Sequence, residues 1–98
     1  MGQTAQGDDV QRLENEIISR FKVPYAACVP QARVGIYLAI KGLIQLGQKV
    51  IVSPYTIADV INMVICAGGV PVFADIDRRT TNVAAAEIEK LIDDQTAL

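Results

Sequence analysis

The stretch Gly47–Asp77 reads GQKVIVSPYTIADVINMVICAGGVPVFADID, and it decides the fold. Residues 50–54 (VIVSP) are a β-branched run closed by a proline, which is typical of a short buried strand. Residues 57–67 (IADVINMVICA) predict a helix, and residues 70–76 (VPVFADI) predict a further strand. Because both strands are apolar on either face and a helix joins them, the stretch predicts a parallel pair in an α/β fold.

Two local signals set the ends of that helix. Thr56 and Asp59 have the spacing of a capping box, in which the side chain of each residue satisfies a free backbone amide of the other. Gly68–Gly69 follows the last apolar position and favours a left-handed turn that ends the helix. The pattern therefore predicts a helix that is capped at Thr56.

The preceding part of the chain predicts a strand between two helices. Asp8 or Asp9 is expected to cap a helix that ends before Pro24. Residues 25–29 (YAACV) indicate a short buried strand, and residues 31–46 indicate the second helix. This part of the chain is therefore predicted to form a helix, a strand and a second helix.

After the quoted stretch, residues 77–83 (DRRTTNV) predict a loop and residues 84–94 (AAAEIEKLIDD) a short amphipathic helix. Thr96–Leu98 resembles the approach to another strand. The complete order is α-β-α-β-α-β-α with short, mainly parallel strands. Ninety-eight residues suffice for one core, so residues 1–98 are expected to form a single small α/β domain or a fragment of a larger one.

Composition argues against several classes of function. The net charge is −2 and the nine basic residues are scattered, so no nucleic-acid partner is expected. No apolar run approaches the length of a membrane span, and the amino terminus lacks the features of a signal peptide, so we expect a cytoplasmic protein with no membrane contact.

The reactive residue types are few. The chain has no histidine, which excludes Ser-His and Cys-His nucleophile pairs and most zinc sites. Cys28 and Cys66 lie in apolar contexts without metal-ligand spacing, so they are expected to be buried thiols. We predict no metal site.

The motif PQAR at residues 30–33 has two interpretations. A strand, a tight turn and a helix place the free amides of the first helical turn where they can bind an anion, and Arg33 would lie in that turn. Alternatively, Arg33 extends into solvent or pairs with a carboxylate. The turn between residues 25 and 34 contains no glycine, which is unlike a typical phosphate loop.

Two further candidates lie at the carboxyl ends of strands. Tyr55 and Thr56 occupy the position at which open α/β sheets collect ligands, although a cap and a packed tyrosine also explain both residues and are the favoured interpretation. Asp75 and Asp77 alternate at the end of the last strand and are candidates for paired carboxylates or for loop capping.

The motifs together resemble the amino-terminal part of the DegT/DnrJ/EryC1/StrS family, pyridoxal-phosphate-dependent aminotransferases that act largely on nucleotide-linked keto-sugars. The resemblance covers nearly the whole chain: DDVQRLENEIISRF, YAACVPQARVGIYLAIKGL, the stretch quoted above, and TNVAAAEIEKLIDDQTAL. It implies the start of the large domain of a fold-type I aminotransferase, with pyridoxal phosphate as the cofactor.

A Ser-Gly-Thr corner holds the cofactor phosphate in the family, and it falls on Gln31, Ala32 and Arg33 here, with the next amide at Val34. None of the three side chains matches. The resemblance therefore implies that backbone amides bind the phosphate and that Arg33 replaces the threonine hydroxyl by a charge-assisted bond.

The ring-binding positions match in part. Thr56 and Asn62 agree with the family pattern, whereas the aromatic residue that often stacks on the pyridine ring is replaced by Ile57. An isoleucine packs against a ring but cannot stack on it.

The family's Schiff-base lysine and the aspartate that pairs with the pyridine nitrogen would fall beyond Leu98, and Lys41, Lys49 and Lys90 align with neither. The resemblance thus implies no catalytic residue here and no transamination by this chain alone. Two interpretations follow: an amino-terminal segment of a sugar aminotransferase, or a non-enzymatic domain that binds a phosphorylated small molecule or a partner chain. Both imply a homo-oligomer or a separate carboxy-terminal segment that covers the open strand edges.

Overall fold

The computed structural model describes residues 2–98, which divide into two compact units between Pro30 and Gln31. The α/β class predicted from the sequence is confirmed. The helices and strands of the described residues are α1 (Gly2–Phe21), α2 (Ala32–Leu43), β1 (Lys49–Val52), α3 (Ala58–Cys66), β2 (Val70–Phe73) and α4 (Ala85–Glu89).

The first unit contains α1. The helix begins at Gly2, so the predicted N-cap at Asp8 or Asp9 is wrong, and both residues lie inside the helix. The capping preference of aspartate alone therefore does not set the start of this helix.

The predicted strand at residues 25–29 is also wrong, because the structure has no regular element there. An apolar run becomes a strand only where a neighbouring strand completes the hydrogen-bond ladder, and no strand of the described residues pairs with this run. The amide of Cys28 instead donates a hydrogen bond to Glu14 Oε1 at 2.9 Å. Cys28 is exposed, as is Cys66 at the end of α3, so the predicted burial of both thiols is wrong.

The second unit is built on a parallel pair of strands, as predicted. β1 pairs with β2 in the register Lys49 to Val70 through Val52 to Phe73. Helices α2 and α3 pack together, and α3 also contacts β2. The core between these elements contains Ile40 of α2, Val50 of β1, and Val64 and Ala67 at the end of α3.

Two glycines make the turn from α3 to β2 possible. Gly68 has a φ of +90°, the left-handed region that ends a helix at low steric cost. Gly69 is buried, and a Cβ atom there would lie 2.9 Å from the Ile44 side chain and 3.2 Å from those of Val50 and Val64. The turn thus requires glycine at one position for its backbone and at the next for close packing.

The two edges of the β1–β2 pair differ. The amides of Val70 and Ala74 donate to the carbonyls of Gln48 and Val52, so the amides that point away from β1 belong to the alternate residues of β2. One of these is Pro71, which has no N–H. The outer edge of β2, which no strand of residues 2–98 covers, therefore lacks a donor at this position.

The other edge of β1 is occupied by the end of the chain. Lys49 forms a parallel bridge with Thr96. The Lys49 amide donates to the Gln95 carbonyl at 2.8 Å, and the Ile51 amide donates to the Leu98 carbonyl at 2.8 Å. The expectation that Thr96–Leu98 approaches a further strand is confirmed by this pairing.

Two helices are shorter than predicted. α2 ends at Leu43 with Ile44 as its C-cap, three residues before the predicted end, and Gly47 then makes a turn with a φ of +85°. α4 ends at Glu89, because the residues that follow turn toward the bridge at Thr96. Among residues 2–98, no helix is both long and apolar enough to cross a bilayer.

Candidate functional site

In the structure, the motif PQAR at residues 30–33 lies at the start of α2. Gln31 is the N-cap in extended conformation, and its carbonyl accepts hydrogen bonds from the amides of Val34 at 3.1 Å and Gly35 at 3.3 Å. The amides of Ala32 and Arg33 belong to the first turn, where a helix offers no internal acceptor. The Gln31 side chain makes no capping hydrogen bond. Two backbone donors at this helix start are therefore left for water or an anion.

The start of α3 has a similar form. Its N-cap is Ile57, whose carbonyl accepts a hydrogen bond from the Val60 amide at 3.1 Å. Because the helix begins one residue later than the capping-box spacing requires, no side chain caps it, and the prediction of a cap by Thr56 and Asp59 is wrong. An isoleucine has no oxygen with which to accept from the first-turn amides.

An ion pair links the two helix starts. Arg33 Nη1 lies 2.9 Å from Asp59 Oδ2, and both residues are in the first turn of their helices. The two side chains are 54% and 39% exposed, so water screens the pair. Of the two interpretations of Arg33, the structure shows the carboxylate partner. The capping-box spacing predicted that Asp59 caps α3, and only the packing of α2 against α3 reveals its contact with Arg33.

A shallow cavity of about 300 Å³ lies on the segment that leads into α3, and it is lined by Tyr55, Thr56 and Ile57. The Tyr55 amide donates to Ser53 Oγ at 3.2 Å, which holds the chain in a turn directly after β1. Tyr55 and Ile57 are 72% and 67% exposed. An apolar planar ligand bound there would contact both an aromatic and an aliphatic side chain.

The predicted binding residues fall into two groups. Gln31, Ala32, Arg33 and Val34 occupy the start of α2, with the Val34 amide already bonded inside the helix, and none of the four lines the cavity. Thr56 and Ile57 line it. The Arg33–Asp59 pair is the observed link between the start of α2 and the start of α3.

The candidate carboxylates after β2 are Asp75 and Asp77, and the structure shows a role for Asp77. Asp77 Oδ1 accepts hydrogen bonds from the amides of Arg79 at 2.7 Å and Thr80 at 3.3 Å. The loop that it caps is closed by an antiparallel bridge between Ile76 and Val83. The loop-capping interpretation is confirmed for Asp77.

Comparison with known proteins identifies the family. A sequence profile of the DegT/DnrJ/EryC1/StrS aminotransferase family matches residues 1–98. The chain belongs to this family. Its resemblance to the amino-terminal part of sugar aminotransferases is therefore confirmed.

Curated members of the family show similarity over nearly the whole chain. The spore coat polysaccharide biosynthesis protein SpsC of Bacillus subtilis is 33% identical over 96 residues, or 97% of this chain. The GDP-perosamine synthases of Vibrio cholerae and Escherichia coli O157:H7 are 30% and 31% identical, each over 95% of this chain. The chain spans about a quarter of the length of these relatives.

Solved structures confirm that the fold is that of the fold-type I aminotransferases. An aminotransferase from Psychrobacter cryohalolentis matches with a TM-score of 0.74 and 27% identity, covering 89% of this chain and 22% of its own. The aspartate aminotransferase of Thermotoga maritima matches with a TM-score of 0.72, covering 86% of this chain and 24% of its own. At 21% identity, the latter shows the shared fold alone.

Members of this family depend on pyridoxal phosphate, and the residues present fit one part of that group. The Ala32 and Arg33 amides suit a phosphate, and the Arg33 guanidinium, which pairs with Asp59 in this structure, places a positive charge at the same helix start. Ile57 offers an apolar surface to a ring.

Proposed function

We propose that this chain forms the phosphate-binding corner of a pyridoxal-phosphate-dependent sugar aminotransferase. The match of all 98 residues to the family, together with the two free amides at the start of α2, carries the proposal. In it, the amides of Ala32 and Arg33 and the Arg33 guanidinium bind the cofactor phosphate, with Gln31 and Val34 shaping the turn. Thr56 and Ile57 border the ring.

This phosphate-binding corner binds the cofactor but takes no part in the reaction itself. When bound, pyridoxal phosphate supplies the electron sink for amino transfer, and the lysine and aspartate that this requires come from residues outside these 98. The two GDP-perosamine synthases among the relatives support a nucleotide-linked sugar as the substrate of the complete enzyme. Such substrates favour a cytoplasmic location.

The binding role is tested without catalysis. Deoxypyridoxine 5′-phosphate lacks the aldehyde of the cofactor, so it does not react with surface lysines, and deoxypyridoxine is its control without phosphate. We expect the phosphorylated compound alone to bind in calorimetry and to raise the melting temperature, and Arg33→Ala to weaken binding. Equal binding of the two compounds, or no binding of either, would overturn the proposal.

A second candidate is a non-enzymatic role through self-association. Large apolar side chains of the second unit are exposed, among them Leu43 at 65%, Leu46 at 89% and Phe73 at 52%. Exposed apolar side chains favour association when they form a continuous surface. Sedimentation equilibrium over a range of concentrations tests this role, and a monomer at every concentration would exclude it.

A further inference from the structure

Asp59 occupies the position of an anion with respect to Arg33. An arginine in the first turn of a helix meets the positive end of the helix dipole, which disfavours it unless a negative charge lies near. In the described residues, that charge comes from the first turn of the neighbouring helix, where Asp59 Oδ2 lies 2.9 Å from Arg33 Nη1. The carboxylate thus supplies the negative charge that a bound phosphate would otherwise supply.

The geometry points to Asp59 as an internal competitor that sets the affinity of the Arg33 corner for phosphate. This inference rests on the phosphate-binding role proposed above. A dianion that approaches the Ala32 and Arg33 amides meets the Asp59 carboxylate beside the same guanidinium, so its binding requires Arg33 to weaken or exchange this pair. Each state of the corner therefore carries one anion on Arg33: the internal carboxylate in the free protein and the phosphate in the complex.

The pair is suited to such an exchange. Both side chains are partly exposed, so the exchange does not leave a buried charge without a partner. Asp59 also lies in the first turn of α3, where the dipole of its own helix favours a carboxylate even after Arg33 has turned away. A partly exposed ion pair contributes little to stability, so even a weakly binding ligand can displace Asp59 from Arg33.

The test measures inorganic phosphate binding by calorimetry at constant ionic strength. Asp59→Asn removes the competing charge at nearly constant size, and we expect it to tighten phosphate binding about threefold to fivefold. Asp94→Asn is the matched control: it makes the same change of net charge next to Asp93, which contacts Lys49 at the amino end of β1, whereas Asp59 lies in α3, after the carboxyl end of β1. It should leave phosphate affinity nearly unchanged.

A double variant separates competition for Arg33 from general repulsion. If Asp59 acts through Arg33, Asp59→Asn should improve binding in the natural sequence but not in Arg33→Ala. Equal improvement in both backgrounds, or no improvement in either, would overturn the inference. If phosphate binds neither the natural chain nor Asp59→Asn, the phosphate-binding role itself fails. If it binds both equally through Arg33, only the inference fails.

Discussion

Lys49 and Asp93 join the start of β1 to the turn before the end of the chain. Lys49 Nζ donates to Asp93 Oδ2, and the Lys49 amide and carbonyl bond to the Gln95 carbonyl and the Ala97 amide. One residue thus fixes the final segment through both its backbone and its side chain. The Asp93 carboxylate also accepts from the Gln95 amide at 2.8 Å.

Lys49→Gln should change how stability depends on pH. The hydrogen bond from Lys49, and then that from the Gln95 amide, lowers the pKa of Asp93 below its usual value. A lowered pKa in the folded state stabilises the protein above the usual carboxyl range and ceases to do so as the pH falls through the folded pKa. Urea unfolding should therefore show Lys49→Gln to be less stable than the natural chain near neutral pH and nearly equal to it in strong acid. Lys41→Gln, the control, removes a positive charge of α2 and should not remove this pH dependence.

Ala97→Pro should release one edge of β1 only. The substitution removes the N–H that donates to the Lys49 carbonyl. In hydrogen exchange, the Lys49 and Ile51 amides should lose protection, because their acceptors are the Gln95 and Leu98 carbonyls. The amides of Val70 and Ala74, which donate to the carbonyls of Gln48 and Val52, should remain protected. Loss of protection at all four would show instead that the final segment is needed for the whole sheet.

Gly69→Ala should destabilise the second unit by about 1 to 3 kcal/mol, because the new methyl group would overlap the Ile44 side chain and press on Val50 and Val64. Gly42→Ala is the matched control. No atom lies within 4 Å of a Cβ built at Gly42, which is in α2, so alanine there should stabilise by up to about 1 kcal/mol. Chemical denaturation of both variants measures the difference, and destabilisation of similar size in both would contradict the packing account.

Thr56→Ala should reduce stability by less than about 0.5 kcal/mol, since no side chain caps α3. Asp77→Ala provides the contrast, because its carboxylate accepts from two loop amides and its loss should cost about 1 kcal/mol. Thermal unfolding of the two variants distinguishes them. A cost for Thr56→Ala as large as that for Asp77→Ala would show that threonine does cap the helix.

The elements of the second unit follow from sequence because their signals are local. The β-branched run beginning at Val50 and the Gly68–Gly69 turn predicted β1, α3 and β2 with small errors at the ends. The run at residues 25–29 has the same apolar character, but a strand depends on its neighbour, and the run itself carries no information about that neighbour. The predicted burial of Cys28 was wrong for the same reason, and that of Cys66 was wrong because an apolar stretch of helix does not show which residues face the core.

The candidate site was predictable only in part. The strand-turn-helix pattern located the start of α2, and the carboxylate partner of Arg33 was one of two interpretations left open. Which carboxylate it is depends on how α2 packs against α3, a contact between residues 26 positions apart in sequence. The capping-box spacing pointed Asp59 toward its own helix, where the structure gives it a different partner.

Pro71 limits how copies of residues 2–98 could pair along the outer edge of β2. A free strand edge is a template on which further copies of a protein can polymerise, since each new strand repeats the ladder of the last. At Pro71 the next strand would leave one of its own carbonyls without a donor, a penalty repeated with every copy added. The missing N–H of Pro71 thus disfavours fibre growth at the outer edge of β2.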